Sequence, residues 1–168
     1  MSKMTALCVS ASLLVASAGL VGCNNNKSSG GSASAASAGP SVWANLGGEK
    51  NVRKVVDDFV GRAAGDPKVN FFRKGVAGYP EWKPSAAEVD LLKQRLVELI
   101  SSGTGGPLKY TGKSMKDSHR GMRITKAEFM ALAGHLDAAL VAGGAKPADK
   151  TAVMNFAAST LPDIVEVQ

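Results

Sequence analysis

The sequence predicts an all-α fold. Apolar residues recur at steps of three and four in several segments, which is the period of an amphipathic helix. Two Ser/Thr-x-x-Glu signatures stand where such segments begin, as expected for capped helix starts. No alternating pattern long enough for a strand is present. The chain has 168 residues, and the first 41 are not expected to belong to the folded part. About 125 residues remain, which is enough for one domain with one core.

The first two long helices are predicted by their apolar faces and their ends. Gly65-Asp66-Pro67 ends the first helix, whose face consists of Val52, Val55, Val56, Phe59, Val60 and Ala63. The second helix spans residues 85–101 and begins at Pro84-Ser85, with Glu88 completing a capping box. Its apolar face consists of Val89, Leu92, Leu96, Leu99 and Ile100.

Two further helices are predicted in the C-terminal half. Thr125 with Glu128 opens the first of them, which carries Phe129, Leu132, Leu136 and Leu140. Gly143-Gly144 separates it from the last helix, which begins at Pro147. That helix carries Val153, Phe156, Ala157 and Leu161, and Pro162 is expected to kink it.

Residues 1–22 are predicted to be an export signal. Lys3 precedes an apolar run over residues 6–20 that is too short to span a bilayer. Leu20-Val21-Gly22-Cys23 resembles a bacterial lipobox, in which Cys23 becomes the first mature residue and carries a lipid. Ala16-Ser17-Ala18 offers an alternative cleavage site of the Ala-x-Ala kind. We therefore expect an exported protein, lipid-anchored to the bacterial cell membrane or outer membrane and facing the periplasm or the exterior.

Residues 23–41 are predicted to be a flexible tether, and residues 42–168 to be the folded domain. The tether is rich in Asn, Ser, Gly and Ala and has too little apolar surface to offset its ordering entropy. The only cysteines are Cys8 and Cys23, so no disulfide is expected in the folded part. The net charge of +6 arises from scattered lysines and arginines, whereas a nucleic-acid surface needs a denser basic patch with aromatic residues.

The stretch from Gly105 to Thr125 carries the most specific pattern. Two helix-breaking motifs, Gly105-Gly106-Pro107 and Tyr110-Thr111-Gly112, precede a short segment with Met115 and His119. Further matching segments lie on both sides of this stretch: residues 43–48, 55–59 and 66–72 before it, and Phe129 and residues 133–136 after it. In this order the segments resemble the group I truncated haemoglobins of the bacterial globin family, over roughly residues 42–166.

The resemblance implies a truncated globin, a two-on-two helical sandwich around a haem b. It identifies His119 as the proximal ligand of the haem iron and places Met115 under the haem. Phe71 or Phe72 would hold the haem, and the spacing from Asp66-Pro67 leaves that choice open. His135, in an apolar helix, is expected to be structural.

On the distal side the chain departs from the commoner pattern. Many relatives have Tyr where Val60 stands, and Gln at one of the positions that align with Leu92 and Leu96. The pocket is therefore expected to be apolar, with faster dioxygen release. Arg95 is either a replacement donor or a solvated side chain. The stretch from Arg73 to Pro84, which carries Tyr79 and Trp82, either covers the pocket mouth or forms a surface loop.

The function that the resemblance implies is reversible binding or carriage of dioxygen or another diatomic gas. Lys109, Lys116 and Arg120 are candidate partners for the haem propionates. One alternative is a nitric oxide dioxygenase or peroxidase-like enzyme, which would need an external redox partner because the chain has no nucleotide fingerprint. A second alternative is a haem-free interaction lipoprotein, against which the presence of His119 argues.

Overall fold

Seven helices follow one another in residues 40–167, the part of the chain that the computed structural model describes. They are α1 (Val42–Asn45), α2 (Gly48–Gly65), α3 (Ala86–Thr104), α4 (Met115–His119), α5 (Lys126–Ala142), α6 (Pro147–Ser159) and α7 (Leu161–Ile164). This range contains no β-strand, and a single parallel bridge joins Thr125 to Val167. The predicted all-α class is confirmed.

Helix α2 buries the face that its sequence predicts. All six apolar residues of that face are buried, and Val56 and Ala63 are fully enclosed. The helix ends at Gly65, and Asp66, just before Pro67, is its extended C-cap. The preceding one-turn helix α1 is capped by Ser41, whose hydroxyl accepts a hydrogen bond from the Ala44 N–H. Trp43 and Leu46 from this region enter the core beside α2.

Helix α3 begins with the predicted capping box. The Ser85 hydroxyl accepts the Glu88 N–H at 3.4 Å, and the Glu88 carboxylate accepts the Ser85 N–H at 2.7 Å. The helix runs one turn beyond the predicted end because Gly105, at φ +77°, forms a left-handed C-cap. Gly106 then passes so close to Trp43 that an added Cβ would lie 2.6 Å from the indole ring. The Gly-Gly pair thus both ends the helix and admits Trp43 to the core.

The C-terminal helices also begin where the sequence predicts. Thr125 and Glu128 form the capping box of α5, and Pro147 opens α6. Pro162 does more than kink the last helix: α6 ends at Ser159, and Pro162 lies in the first turn of the separate α7. Proline cannot donate to the preceding turn and its ring clashes there, so the chain starts a new helix.

The four long helices pack as two pairs. Helix α2 packs on α3 and α5, and α6 packs on α5 and α3. α3 and α5 make no extensive contact with each other, and α4 packs on α7. The main core comprises Trp43, Leu46, Val52, Val55, Val56, Phe59, Val60, Val97, Ile100, Leu136, Ala139, Leu140 and Val153. This arrangement is the predicted two-on-two sandwich.

The predicted signal sequence, the lipid-bearing Cys23 and the tether up to Gly39 lie outside the described residues. Within residues 40–167, every helix is too short or too polar to cross a lipid bilayer.

Candidate functional site

His119 is the last residue of the one-turn helix α4. Ser114 caps this helix by accepting the Asp117 N–H at 3.0 Å. The half-buried His119 ring places Nδ1 2.7 Å from the carbonyl oxygen of Met115. A carbonyl can only accept, so Nδ1 carries the proton and donates it. In the neutral imidazole this bond leaves Nε2 as the nitrogen whose lone pair can bind a metal.

Several large apolar side chains on three elements of the domain are only partly buried. They lie on α3, on α4 and the turn after it, and on α5, which are the elements without extensive mutual packing. The predicted apolar face of α3 illustrates this: Ile100 is buried, whereas its other members remain half-exposed. The set of half-buried residues is Val89, Leu92, Leu96, Leu99, Met115, Met122, Ile124 and Leu132.

These features fit a haem. The group needs one neutral imidazole nitrogen for its iron and apolar side chains for its two faces. His119 supplies the nitrogen in the required tautomer. The half-buried residues of α3 and α5 supply apolar surface that a flat ligand would remove from water, which is favourable by about 25 cal/mol for each Å².

The three predicted distal residues are all apolar, and they differ in burial. Val60 is fully part of the core, at 4% exposure, whereas Leu92 and Leu96 are half-buried. None of them has a side-chain hydrogen-bond donor.

Arg95 is held in a polar network on the adjacent face of α3. Its guanidinium pairs with Glu98 at 2.8 Å and donates to the Thr111 hydroxyl. Glu98 also accepts the backbone N–H of Thr111 at 3.1 Å and the Gln94 amide at 3.1 Å. Burial alone would raise the pKa of Glu98, but the bonds from Thr111, Gln94 and Arg95 lower it overall. The network ties the Tyr-Thr-Gly segment to α3.

The two candidate phenylalanines lie at the corner after α2. Their rings meet edge to face at 5.4 Å, and both approach Trp82, at 5.7 Å from Phe71 and 6.3 Å from Phe72. Phe71 packs against the main core, and Phe72 is half-buried outside it. Trp82 thus anchors the loop over residues 73–84 to the corner.

A cleft of about 530 Å³ opens between this loop, α3 and α4. Of the predicted residues it brings together Leu92, Arg95 and the propionate candidate Arg120; His119, Leu96 and Met115 do not line it. Its wall includes the neighbours of His119, Ser118 and Arg120. The full lining is Tyr79, Trp82, Glu88, Leu91, Leu92, Arg95, Lys113, Asp117, Ser118 and Arg120.

The remaining polar candidates lie apart from His119 or at the surface. His135 Nε2 lies 2.7 Å from Asp66, so it joins α5 to the end of α2. The Lys68 N–H and the His135 ring hold the pKa of Asp66 below its ordinary value. Lys109 and Lys116 are exposed, and Arg120 pairs with Asp117.

Two residues near His119 carry no sequence signal for a site. The buried Arg73 donates to the Met122 and Arg123 carbonyls, and Glu166 accepts the N–H groups of Gly121 and Arg123. Their partners are 43–50 residues away along the chain. No local pattern reports a contact of that separation, so both were missed.

Known proteins are similar to this chain in sequence and in fold. The bacterial-like globin family model matches residues 41–164. The group 1 truncated haemoglobin GlbN of Mycolicibacterium paratuberculosis is 31% identical over 124 residues, which are 74% of this chain and 83% of that protein. GlbN of Nostoc sp. is 28% identical over 116 residues, 68% of this chain and 87% of that protein.

Two solved structures extend the comparison. The Fe(III) form of truncated haemoglobin from Tetrahymena pyriformis superposes with a TM-score of 0.63 at 24% identity, covering 75% of this chain and 98% of that one. THB1 of Chlamydomonas reinhardtii gives a TM-score of 0.55 at 31% identity, covering 74% and 95%. The first likeness concerns the fold alone, and the second adds sequence similarity.

Proposed function

Because this chain belongs to the bacterial-like globin family, we propose that it is a haem protein that reversibly binds dioxygen or another diatomic gas through His119. The observation that supports this function is the bond from Nδ1 to the Met115 carbonyl, which leaves Nε2 as a neutral ligand. The relatives reported above are truncated haemoglobins, and one of them is described in an Fe(III) form.

Haem, when bound, supplies an iron centre on which a diatomic gas binds. The chain would contribute His119 as the iron ligand, the orientation of its ring and an apolar environment. The Met115 carbonyl fixes the tautomer and rotation of the His119 ring. Val60, Leu92 and Leu96 provide apolar distal contacts, which disfavour water and offer the gas no hydrogen bond. Such a pocket suits reversible carriage with rapid release.

Phe72 is our choice for the ring that packs on the haem. Phe71 is already engaged with the main core, whereas Phe72 lies half-buried beside it. A flat aromatic ring packs well against a porphyrin face. Phe72→Ala should therefore accelerate haem loss more than Phe71→Ala does, and the opposite order would assign the role to Phe71.

The absorbance spectrum of the purified, haem-reconstituted protein tests the assignment of His119. The wild type should show a Soret band in stoichiometric amount, and His119→Ala should lose it or bind haem far more weakly. His135→Ala is the matched control, because its ring bonds Asp66 and should leave the Soret band intact. A Soret band unchanged in His119→Ala would contradict the proposal, and so would a wild type that takes up no haem. Turnover of nitric oxide with dioxygen and a reductase would instead assign an enzymatic role.

We also propose that the protein is exported and lipid-anchored at Cys23. The support is the sequence 20–23, which resembles a lipobox after an apolar run. Labelling with a radioactive fatty acid in a bacterial host should mark the wild type and spare Cys23→Ser. Equal labelling of both forms, or none of the wild type, would reject the anchor.

A further inference from the structure

The turn that follows His119 has a strained backbone. Gly121 and Arg123 have φ values of +78° and +52°, in the left-handed region. Glycine adopts this region readily, whereas for arginine it costs free energy that surrounding contacts must offset. Within residues 40–167 only three non-glycine residues have positive φ: Asn70, Arg73 and Arg123. Two of these three, Arg73 and Arg123, are hydrogen-bonded to each other.

Arg73 holds the turn from the side of the corner that carries Phe72. Its guanidinium is buried, at 5% exposure for the residue, and donates to the Met122 carbonyl at 3.1 and 2.8 Å. It also donates to the Arg123 carbonyl at 3.4 Å and pairs with Glu128 at 2.9 Å. Glu128 is the capping residue of α5, so one guanidinium links the corner, the turn and the start of α5.

Glu166 holds the same turn from the C-terminal side. One carboxylate oxygen accepts the Gly121 N–H at 2.7 Å, and the other accepts the Arg123 N–H at 2.7 Å. The backbone beside it continues the attachment, because the N–H groups of Glu166 and Val167 both donate to the Ile124 carbonyl, at 2.9 and 3.1 Å. Bonds to a charged acceptor are the stronger kind.

We propose that Arg73 and Glu166 are positioning residues that hold the turn 120–124, and through it the orientation of His119. The proposal rests on the role of His119 as the iron ligand. The His119 carbonyl itself accepts the Met122 N–H at 3.0 Å, so the histidine and the held turn share one hydrogen-bonded unit. Arg73 adds a direct link between this proximal unit and the corner that carries Phe72.

Helix α4 needs such support. It has only five residues, and a helix of one turn has little stability of its own. The Nδ1 bond fixes the ring relative to α4, but it does not fix α4 relative to the rest of the domain. The turn 120–124 and the contact of α4 with α7 provide that attachment. Loosening the turn should therefore spread the orientations of the His119 ring.

Conservative variants of the haem-reconstituted protein test this role. Glu166→Gln keeps one acceptor oxygen and Glu166→Ala keeps none, so their effects should be graded. Arg73→Lys keeps the positive charge but loses the planar guanidinium, whose several N–H groups reach different acceptors. Glu49→Gln and Arg53→Lys are matched controls, because that pair has the same charges but lies exposed on α2.

Three measurements report on the proposal. The iron–histidine stretching band in the resonance Raman spectrum of the ferrous protein should shift or broaden in the Arg73 and Glu166 variants. Haem transfer to an acceptor globin should accelerate about fivefold for each bond lost, the equivalent of about 1 kcal/mol. Amide hydrogen exchange of Gly121 and Arg123 should accelerate by a similar factor in the haem-free protein. The Glu49 and Arg53 controls should match the wild type in all three.

A lower unfolding midpoint with an unchanged Raman band and haem-loss rate would overturn the proposal, because it would reduce both residues to structural ones. If Arg73→Lys does not fold, Glu166→Gln and Glu166→Ala alone test the proposal, because Glu166 is exposed. Failure of the iron-ligand assignment is distinguishable, because it leaves the Soret band of His119→Ala intact. Failure of the positioning role leaves His119 as ligand and gives the Glu166 variants the Raman band and haem-loss rate of the wild type.

Discussion

Replacing Leu96 by glutamine should slow dioxygen release about fivefold. Leu96 is half-buried on α3. Its side chain has no hydrogen-bond donor, and the same holds for Leu92 and Val60. Arg95, the residue before Leu96, is committed to Glu98 and Thr111. Glutamine is similar in size to leucine and carries an amide that donates hydrogen bonds, so the substitution adds a donor with little change in volume.

The size of the effect follows from the net value of one hydrogen bond. Dioxygen bound in the pocket carries partial negative charge on its outer atom, which an amide donor stabilises. A net gain of about 1 kcal/mol corresponds to about fivefold slower release, and the usual range of about 0.5–1.5 kcal/mol gives about two- to thirteenfold. Carbon monoxide is less polarised when bound, so its release should change less.

Stopped-flow displacement of dioxygen by carbon monoxide measures the release rate directly. Leu96→Met is the control, because it keeps the apolar character and approximate volume but adds no donor. Equal release rates for Leu96→Gln and Leu96→Met would refute the assignment of Leu96 to the distal face. Faster release in Arg95→Leu than in the wild type would show that Arg95 is already a donor, contrary to an apolar pocket.

Two further predictions concern stability. Gly106→Ala should destabilise the fold by about 1–3 kcal/mol, because the new Cβ would overlap both the Ser101 hydroxyl and the Trp43 ring. Urea titration measures this change, and Gly134→Ala is the control. Gly134 lies in the middle of α5 with no atom within 4 Å of an added Cβ, so this substitution should stabilise the fold by about 0.4–1 kcal/mol. Destabilisation by both substitutions would contradict the explanation given for Gly106. Glu128→Gln should make the free energy of unfolding fall less steeply as the pH is lowered into the acid range. Burial would raise the pKa of Glu128, but the bonds from Thr125 and Arg73 lower it overall. Its contribution is therefore complete above the unfolded pKa of about 4.3 and is lost as pH falls below that value through the lower folded pKa. If the unfolding free energy of the variant falls with pH as steeply as that of the wild type, Glu128 does not contribute this pH-dependent stability.

The sequence alone determined the features that depend on neighbouring residues. Ser85 with Glu88 and Thr125 with Glu128 start helices because each capping bond closes within one turn. The apolar face of α2 was readable because the helical period repeats within the segment. His119 is predicted to be the iron ligand because residues on both sides of it match the order of a known family, and the partner of its Nδ1 is only four residues away.

Only the tertiary structure decided how distant segments meet. It showed that most of the predicted apolar face of α3 stays half-exposed, because α3 packs mainly on α2 and α6 and makes little direct contact with α4 and α5. It committed Arg95 to Glu98 and Thr111, and it brought Arg73 and Glu166 to the turn after His119. The last contacts join residues 43–50 positions apart. A local pattern cannot encode them, because their geometry exists only once all four long helices have packed.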